Sequence, residues 1–110
     1  MITESYCSFK VAKLLKEKGF GDYMNHYIMR NNGDGTADIL NTCTHQMACA
    51  WLREKGVYIE IGIVITTDDK VYYHANVGTI TNAWKLVDEW NDSYENSVEN
   101  ALKYTLENLM

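Results

Sequence analysis

Proline is absent from the 110 residues, so no proline-rich linker or proline hinge divides the chain. Basic residues are in the minority: ten Lys and Arg against fifteen Asp and Glu leave a net charge of −5. That removes the broad basic face that phosphate neutralisation needs, and nucleic acid is not expected as a partner. No apolar run approaches the roughly 20 residues that span a bilayer, and Met1-Ile2-Thr3-Glu4 lacks the basic-then-apolar pattern of a signal peptide. A cytoplasmic, non-membrane protein is expected. Cysteine is scarce and odd in number, at Cys7, Cys43 and Cys49. Without a framework spacing these read as free thiols.

Catalytic and cofactor motifs are missing too. There is no CxxC, no HExxH and no nucleophile elbow. His45 and Cys49 are four apart and can share a helical face, but a zinc site needs three or four ligands, and only His26, His74 and Cys7 remain to complete it. A Cys–His nucleophile would need Cys43 or Cys49 beside His26 or His74 in space. Asn32-Gly33-Asp34-Gly35 lacks the lysine and following helix of a phosphate loop. No catalytic residue, no metal ligand and no cofactor is therefore assigned, and an enzyme is not expected.

What is present is enough for one small core. The hydrophobic fraction is 46% and the charged fraction 23%, which places residues 1–110 as a single globular domain. Ser8, Thr44 and Ser93 are N-cap residues for helices over roughly 9–18, 45–55 and 94–109. Gly19 and Gly56 close the first two, and Phe20 folds back on the first. The inward side of the second is Met47, Ala48, Trp51 and Leu52, with the stem of Lys55. The third carries the clearest stripe: Tyr94, Val98, Ala101, Leu102, Thr105, Leu106 and Leu109.

Strands are expected over Tyr23–Arg30 and Thr36–Asn41, joined by Asn31–Gly35; this less apolar hairpin should lie nearer the sheet edge. A second hairpin pairs Val57–Thr67 with Val71–Thr81. Val57, Ile59, Ile61, Ile63 and Ile65 share one face, and Val71, Tyr73, Ala75 and Val77 are their natural partners. Directly opposed residues share a face, so the loop must be odd, of three or five residues. The isoleucine face is then core. The other face carries Tyr58, Glu60, Gly62, Tyr72, His74 and Asn76. Residues 81–92 fit neither period cleanly and read as a loop with a helical or extended piece.

The expected order is α-β-β-α-β-β-α: an α+β fold with an antiparallel sheet of about four strands and helices packed on one face. Leu14–Phe20 aligns with Trp51–Val57 at an offset of 37, which either an internal repeat or helix-stop chemistry alone would generate.

Three segments carry a resemblance. They are Ile2–Tyr6 with Val11–Phe20, Thr44–Ala48 running into Trp51–Glu54, and Tyr94-Glu95 with Ala101–Leu109. Together they resemble a set of small proteins of gut Bacteroides-type bacteria, their phages and mobile elements. The resemblance covers about half the chain, and Asn96 and Asn100 depart from it. It implies a phage or mobile-element accessory protein and no particular chemistry.

Aromatics are in excess, with eight tyrosines, three tryptophans and two phenylalanines. Those on the outer sheet face make Tyr58, Glu60, Tyr72 and His74 the candidate partner-binding residues, with the loops Asn31–Gly35 and Thr81–Asp92 as alternative surfaces. The leading expectation is a non-enzymatic protein acting by protein–protein interaction, with a homodimer through the sheet as one form of it. The alternative is a protein that sequesters a nucleotide signal, using stacking tyrosines with Arg30, Lys70 and Lys85.

Overall fold

The computed structural model describes residues 5–20, 26–81 and 84–110. Helix α1 (Phe9–Glu17) starts where the Ser8 side chain accepts from the Val11 N–H. It stops at Gly19, whose φ of +95° suits a residue without Cβ. Phe20 then turns back: its N–H donates to the Leu15 carbonyl at 3.0 Å, and its buried ring meets Trp51 at 4.8 Å.

Strands β1 (His26–Asn31) and β2 (Ala37–Thr42) form an antiparallel hairpin, with Asn31 opposite Ala37. The expected start of the first strand, residues 23–25, lies outside the described residues. In the turn Asp34 Oδ1 accepts the Thr36 N–H at 2.9 Å, and Gly33 and Gly35 take positive φ. This hairpin does not edge the larger sheet, as its polarity suggested, but makes a two-stranded sheet of its own. Only Ile28, Leu40 and Thr42 are withdrawn from solvent, too few apolar contacts to draw it into the larger sheet.

Helix α2 (His45–Glu54) is capped by Thr44, whose side chain accepts from the Met47 N–H, and Gly56 follows its last turn with φ +82°. Ala48, Trp51 and Leu52 face inward as expected, but Met47 is exposed. Lys55 lays its ammonium over the Trp51 ring at 5.7 Å.

Strand β3 (Val57–Ile65) begins directly after that glycine and pairs antiparallel with β4 (Val71–Thr79). Ile65 stands opposite Val71, leaving a five-residue loop, and Ile59, Ile61 and Ile63 oppose Val77, Ala75 and Tyr73. The loop is odd and the two apolar sets oppose each other, as parity requires.

The stretch that fitted no period contains a fifth strand, β5 (Lys85–Asn91), on the other edge of β4. Its register slips between Tyr73 and Ala75 and again between Ala75 and Asn76. Those irregularities break the strict alternation by which a strand is recognised. Residues 82 and 83 of the same stretch lie outside the described residues.

Helix α3 (Tyr94–Asn108) follows, capped by Ser93. It lies against β3, β4 and β5 and also touches α1 and α2. Val98, Ala101, Leu102, Thr105 and Leu106 are buried along it, while Tyr94 and Leu109 stay exposed at its ends. The order is thus α-β-β-α-β-β-β-α, an α+β fold with helices on one face of the β3-β4-β5 sheet.

One expectation about the long hairpin is overturned. Val57 is buried and Ile59 and Ile61 pack on the core, but Ile63, Ile65 and Val71 are exposed. The hairpin runs past the ends of the helices that cover its base, so the distal isoleucine face is not core. The radius of gyration is 15.1 Å, against about 13 Å for a compact chain of this length, as a projecting hairpin requires.

Candidate functional site

The outer face of the sheet is set by the register. Tyr58 opposes Gly78, Glu60 opposes Asn76, Gly62 opposes His74 and Val64 opposes Tyr72. Tyr58, Glu60, Tyr72 and His74 therefore share one face, on the side away from the helices. Asn76 Nδ2 donates to Glu60 Oε1 at 3.5 Å, a long contact across the strands.

Two glycines let aromatic rings lie flat on this face. The His74 imidazole crosses Gly62 so closely that a Cβ there would stand 2.2 Å from Cε1 and Nε2. The Trp84 ring crosses Gly78, where a Cβ would meet Cε3 at 2.9 Å. Trp90 sets its ring edge-on to Tyr72, with centroids 5.4 Å apart. A shallow hollow of about 270 Å³ lies among Val64, His74, Asn76, Leu86, Glu89 and Trp90.

Trp84, Leu86 and Trp90 fall in the 81–92 stretch that the sequence offered as an alternative surface, but none of them was singled out, because they flank or belong to the irregular strand. The only signal was two tryptophans bracketing Leu86-Val87. Trp84 is 54% exposed, Trp90 56% and Leu86 48%. At 150–250 Å² per large aromatic, the two tryptophans alone present on the order of 200 Å² of ring surface. With Tyr58 and Leu86 the patch reaches the few hundred Å² at which exposed apolar surface marks a binding site. Trp90 also holds φ at +58°. That conformation is costly for a bulky residue and is found mainly where function holds it.

A second cluster lies on the helix side. Residues 5–7 run antiparallel beside 43–45: the Cys7 N–H donates to the Cys43 carbonyl at 2.8 Å, and the His45 N–H to the Ser5 carbonyl at 2.9 Å. This short pairing brings Cys7 to the start of α2. Glu99, from the middle of α3, accepts the Ser8 N–H at 2.8 Å and His45 Nε2 at 2.7 Å, both through Oε1. Burial pushes the Glu99 carboxyl up, but its hydrogen bonds from His45 and Ser8 outweigh that and hold it below the ordinary value. The Cys7 thiol is pushed far up, first by its contact with the Cys43 sulfur and then by burial. A fully buried thiol held protonated in this way is a poor nucleophile.

His45, Cys49 and Arg53 share the face of α2 that borders a cleft of about 490 Å³. Ile59 and Ile61 line it from β3, and Tyr94, Glu95 and Val98 from α3. Burial raises the Cys49 pKa. Neither of the other histidines joins a cysteine as nucleophilic catalysis would require. His26 meets Tyr6, with rings 4.6 Å apart, and His74 lies across Gly62 on the opposite face of the sheet. Among the described residues no helix is long and apolar enough to cross a membrane.

No family model matches the chain, and neither does any curated protein or any solved structure.

Proposed function

We propose that the protein acts without catalysis, by docking a protein partner on the aromatic outer face of the β3-β4-β5 sheet. The observation that carries this reading is the ring surface itself. Trp84, His74, Trp90 and Tyr72 are seated on glycines or on one another, on a sheet face that the three helices leave open. Tryptophan and tyrosine dominate the energetics of protein interfaces because they bury large areas at small entropic cost. Glu60 and Glu89 lie beside the rings, and with the net charge of −5 they favour a partner that frames apolar anchors with lysine or arginine. The accessory role in a phage or mobile element rests on the sequence resemblance alone.

The small-ligand reading rests on the cleft beside Arg53 and Tyr94 and on a hollow of about 540 Å³ where Arg30 stands with Lys13, Lys16 and Phe9. Each of the cations first considered for a nucleotide already has a partner, which weighs against that reading. Arg30 is paired with Asp38 at 2.8 Å, Lys70 lies 3.7 Å from Asp68, and Lys85 sits over the Tyr104 ring.

Paired capture from a bacterial host lysate tests the docking reading. Wild-type bait is compared with Trp84→Ser and Trp90→Ser, and with Ile39→Ser on the separate hairpin as control. A partner retained by wild type and by Ile39→Ser but lost by both tryptophan variants is the expected result. Capture unchanged by the tryptophan variants overturns it. Light scattering on the same samples reports whether the partner is a second copy.

A further inference from the structure

We propose that Cys7, His45 and Glu99 form a binding site for a divalent transition-metal ion of the zinc class. A sulfur, a ring nitrogen and a carboxylate oxygen from these residues all lie within 4.8 Å of one another. Around a tetrahedral ion with bonds of about 2.0–2.3 Å, donor atoms stand roughly 3.5 Å apart. Closing the group on an ion therefore needs side-chain shifts of about an ångström.

The three donors come from three separate parts of the chain, and the backbone holds them in place. Cys7 and His45 are fixed by the pairing of residues 5–7 with 43–45, and Glu99 is tied to the Ser8 N–H. His45 Nε2 and Glu99 Oε1 already meet at 2.7 Å in a hydrogen bond; an ion bound between them takes the place of its proton, which leaves to solvent from a charged imidazole or moves to Nδ1 in a neutral one. Thiolate, imidazole and carboxylate together suit zinc, cobalt or nickel. Magnesium and calcium prefer all-oxygen shells.

Binding forms a metal–sulfur bond as the Cys7 thiol releases its proton to solvent. The ion's charge offsets the burial and the Cys43 contact that otherwise keep this thiol protonated. Three protein donors leave one position of a tetrahedral ion for water or for a small donor molecule. His45 also borders the 490 Å³ cleft, which supplies the way in.

The sequence pairs His45 with Cys49 on one helical face and leaves Cys7 only as one of three residues that could complete a site. The set that the fold assembles keeps His45 but takes its other members from positions 38 residues before and 54 after it. Spacing along one helix does not reveal such a set.

Titration of the reduced protein with cobalt(II) tests the proposal. The expected result is a thiolate-to-cobalt charge-transfer absorption that saturates at one ion per chain and is displaced by zinc but not by calcium. Cys49→Ser keeps the band and Cys7→Ser removes it. Replacing a fully buried residue risks misfolding, so His45→Gln and Glu99→Gln are read in parallel. Each should weaken cobalt binding at least tenfold with an unchanged far-ultraviolet circular dichroism spectrum. Absence of the band in the wild-type protein overturns the proposal. So does a band that survives Cys7→Ser, or wild-type affinity in both the His45 and Glu99 variants. Trp90→Ser should bind cobalt as wild type does, which separates this site from the sheet face.

Discussion

Replacing Gly62 by alanine sets two opposing effects against each other. Gly62 lies mid-strand and is not among the residues with positive φ, so alanine fits its backbone. Removing the glycine's unfolded-state freedom then favours folding by about 0.5–1 kcal/mol. Against this, the new Cβ would stand 2.2 Å from the imidazole of His74. The ring is the end of its side chain and can rotate away, at a cost of about 0.5–1.5 kcal/mol for leaving its preferred rotamer. The two nearly cancel, so stability should stay within about 1 kcal/mol of wild type. With a urea slope of roughly 1–3 kcal/mol per molar, the unfolding midpoint moves by less than about 1 M. The surface changes much more, since a ring is expelled from the middle of the proposed interface. His74 ring proton resonances should shift markedly, and partner capture should weaken. A loss above about 2 kcal/mol would show that the imidazole cannot yield. Unchanged His74 resonances would show that the ring does not lie across Gly62, and the account of this face would fail.

Leu102 and Ile65 give a paired check on which apolar residues are core. Leu102→Ala empties a site with no exposure and should cost about 2–5 kcal/mol. Ile65→Ala at the hairpin tip, 70% exposed, should stay within about 0.5 kcal/mol in urea unfolding. Glu99 supplies a pH dependence. Its folded-state pKa lies below the ordinary 4.5. Its contribution is therefore complete above the unfolded value and lost as pH falls through the folded one. Urea midpoints of wild type and Glu99→Gln should differ most near neutrality and converge below pH 4.5. A gap that widens on acidification would reverse the assignment.

The local elements were legible because capping and glycine stops act within a few residues. Ser8, Thr44 and Ser93 cap the three helices, and Gly19 and Gly56 end the first two. The odd loop of the long hairpin followed from parity alone, since one buried face at the hairpin's base selects the register. Leu14–Phe20 and Trp51–Val57 do share a helix and a left-handed glycine. Two features were hidden for different reasons. Strand β5 was obscured by register slips that shift its residues between faces. The Cys7–His45–Glu99 group was obscured because contact between residues 7 and 99 depends on how α3 crosses the molecule, which no local pattern encodes.

The reach of the helices relative to the hairpin explains why apolar character alone misplaced part of the core. At the hairpin base, α2 and α3 cover Val57, Ile59 and Ile61. Beyond them the same alternation continues through Ile63 and Ile65, which are exposed. On the opposite face Tyr72 and His74, the more polar set, are half-buried, because rings of the third strand and a glycine opposite receive them. Sidedness in a strand therefore fixes which residues go together, and neighbouring elements decide which set is shielded. On this hairpin that decision changes along its length. The exposed isoleucine tip follows from a strand that outruns its helices, whereas the seated rings of the outer face need two glycines and a strained Trp90 to hold them. Of the two apolar surfaces, only the second has a geometry that costs stability, which a merely exposed face would not require, and this is why the proposed docking is placed there.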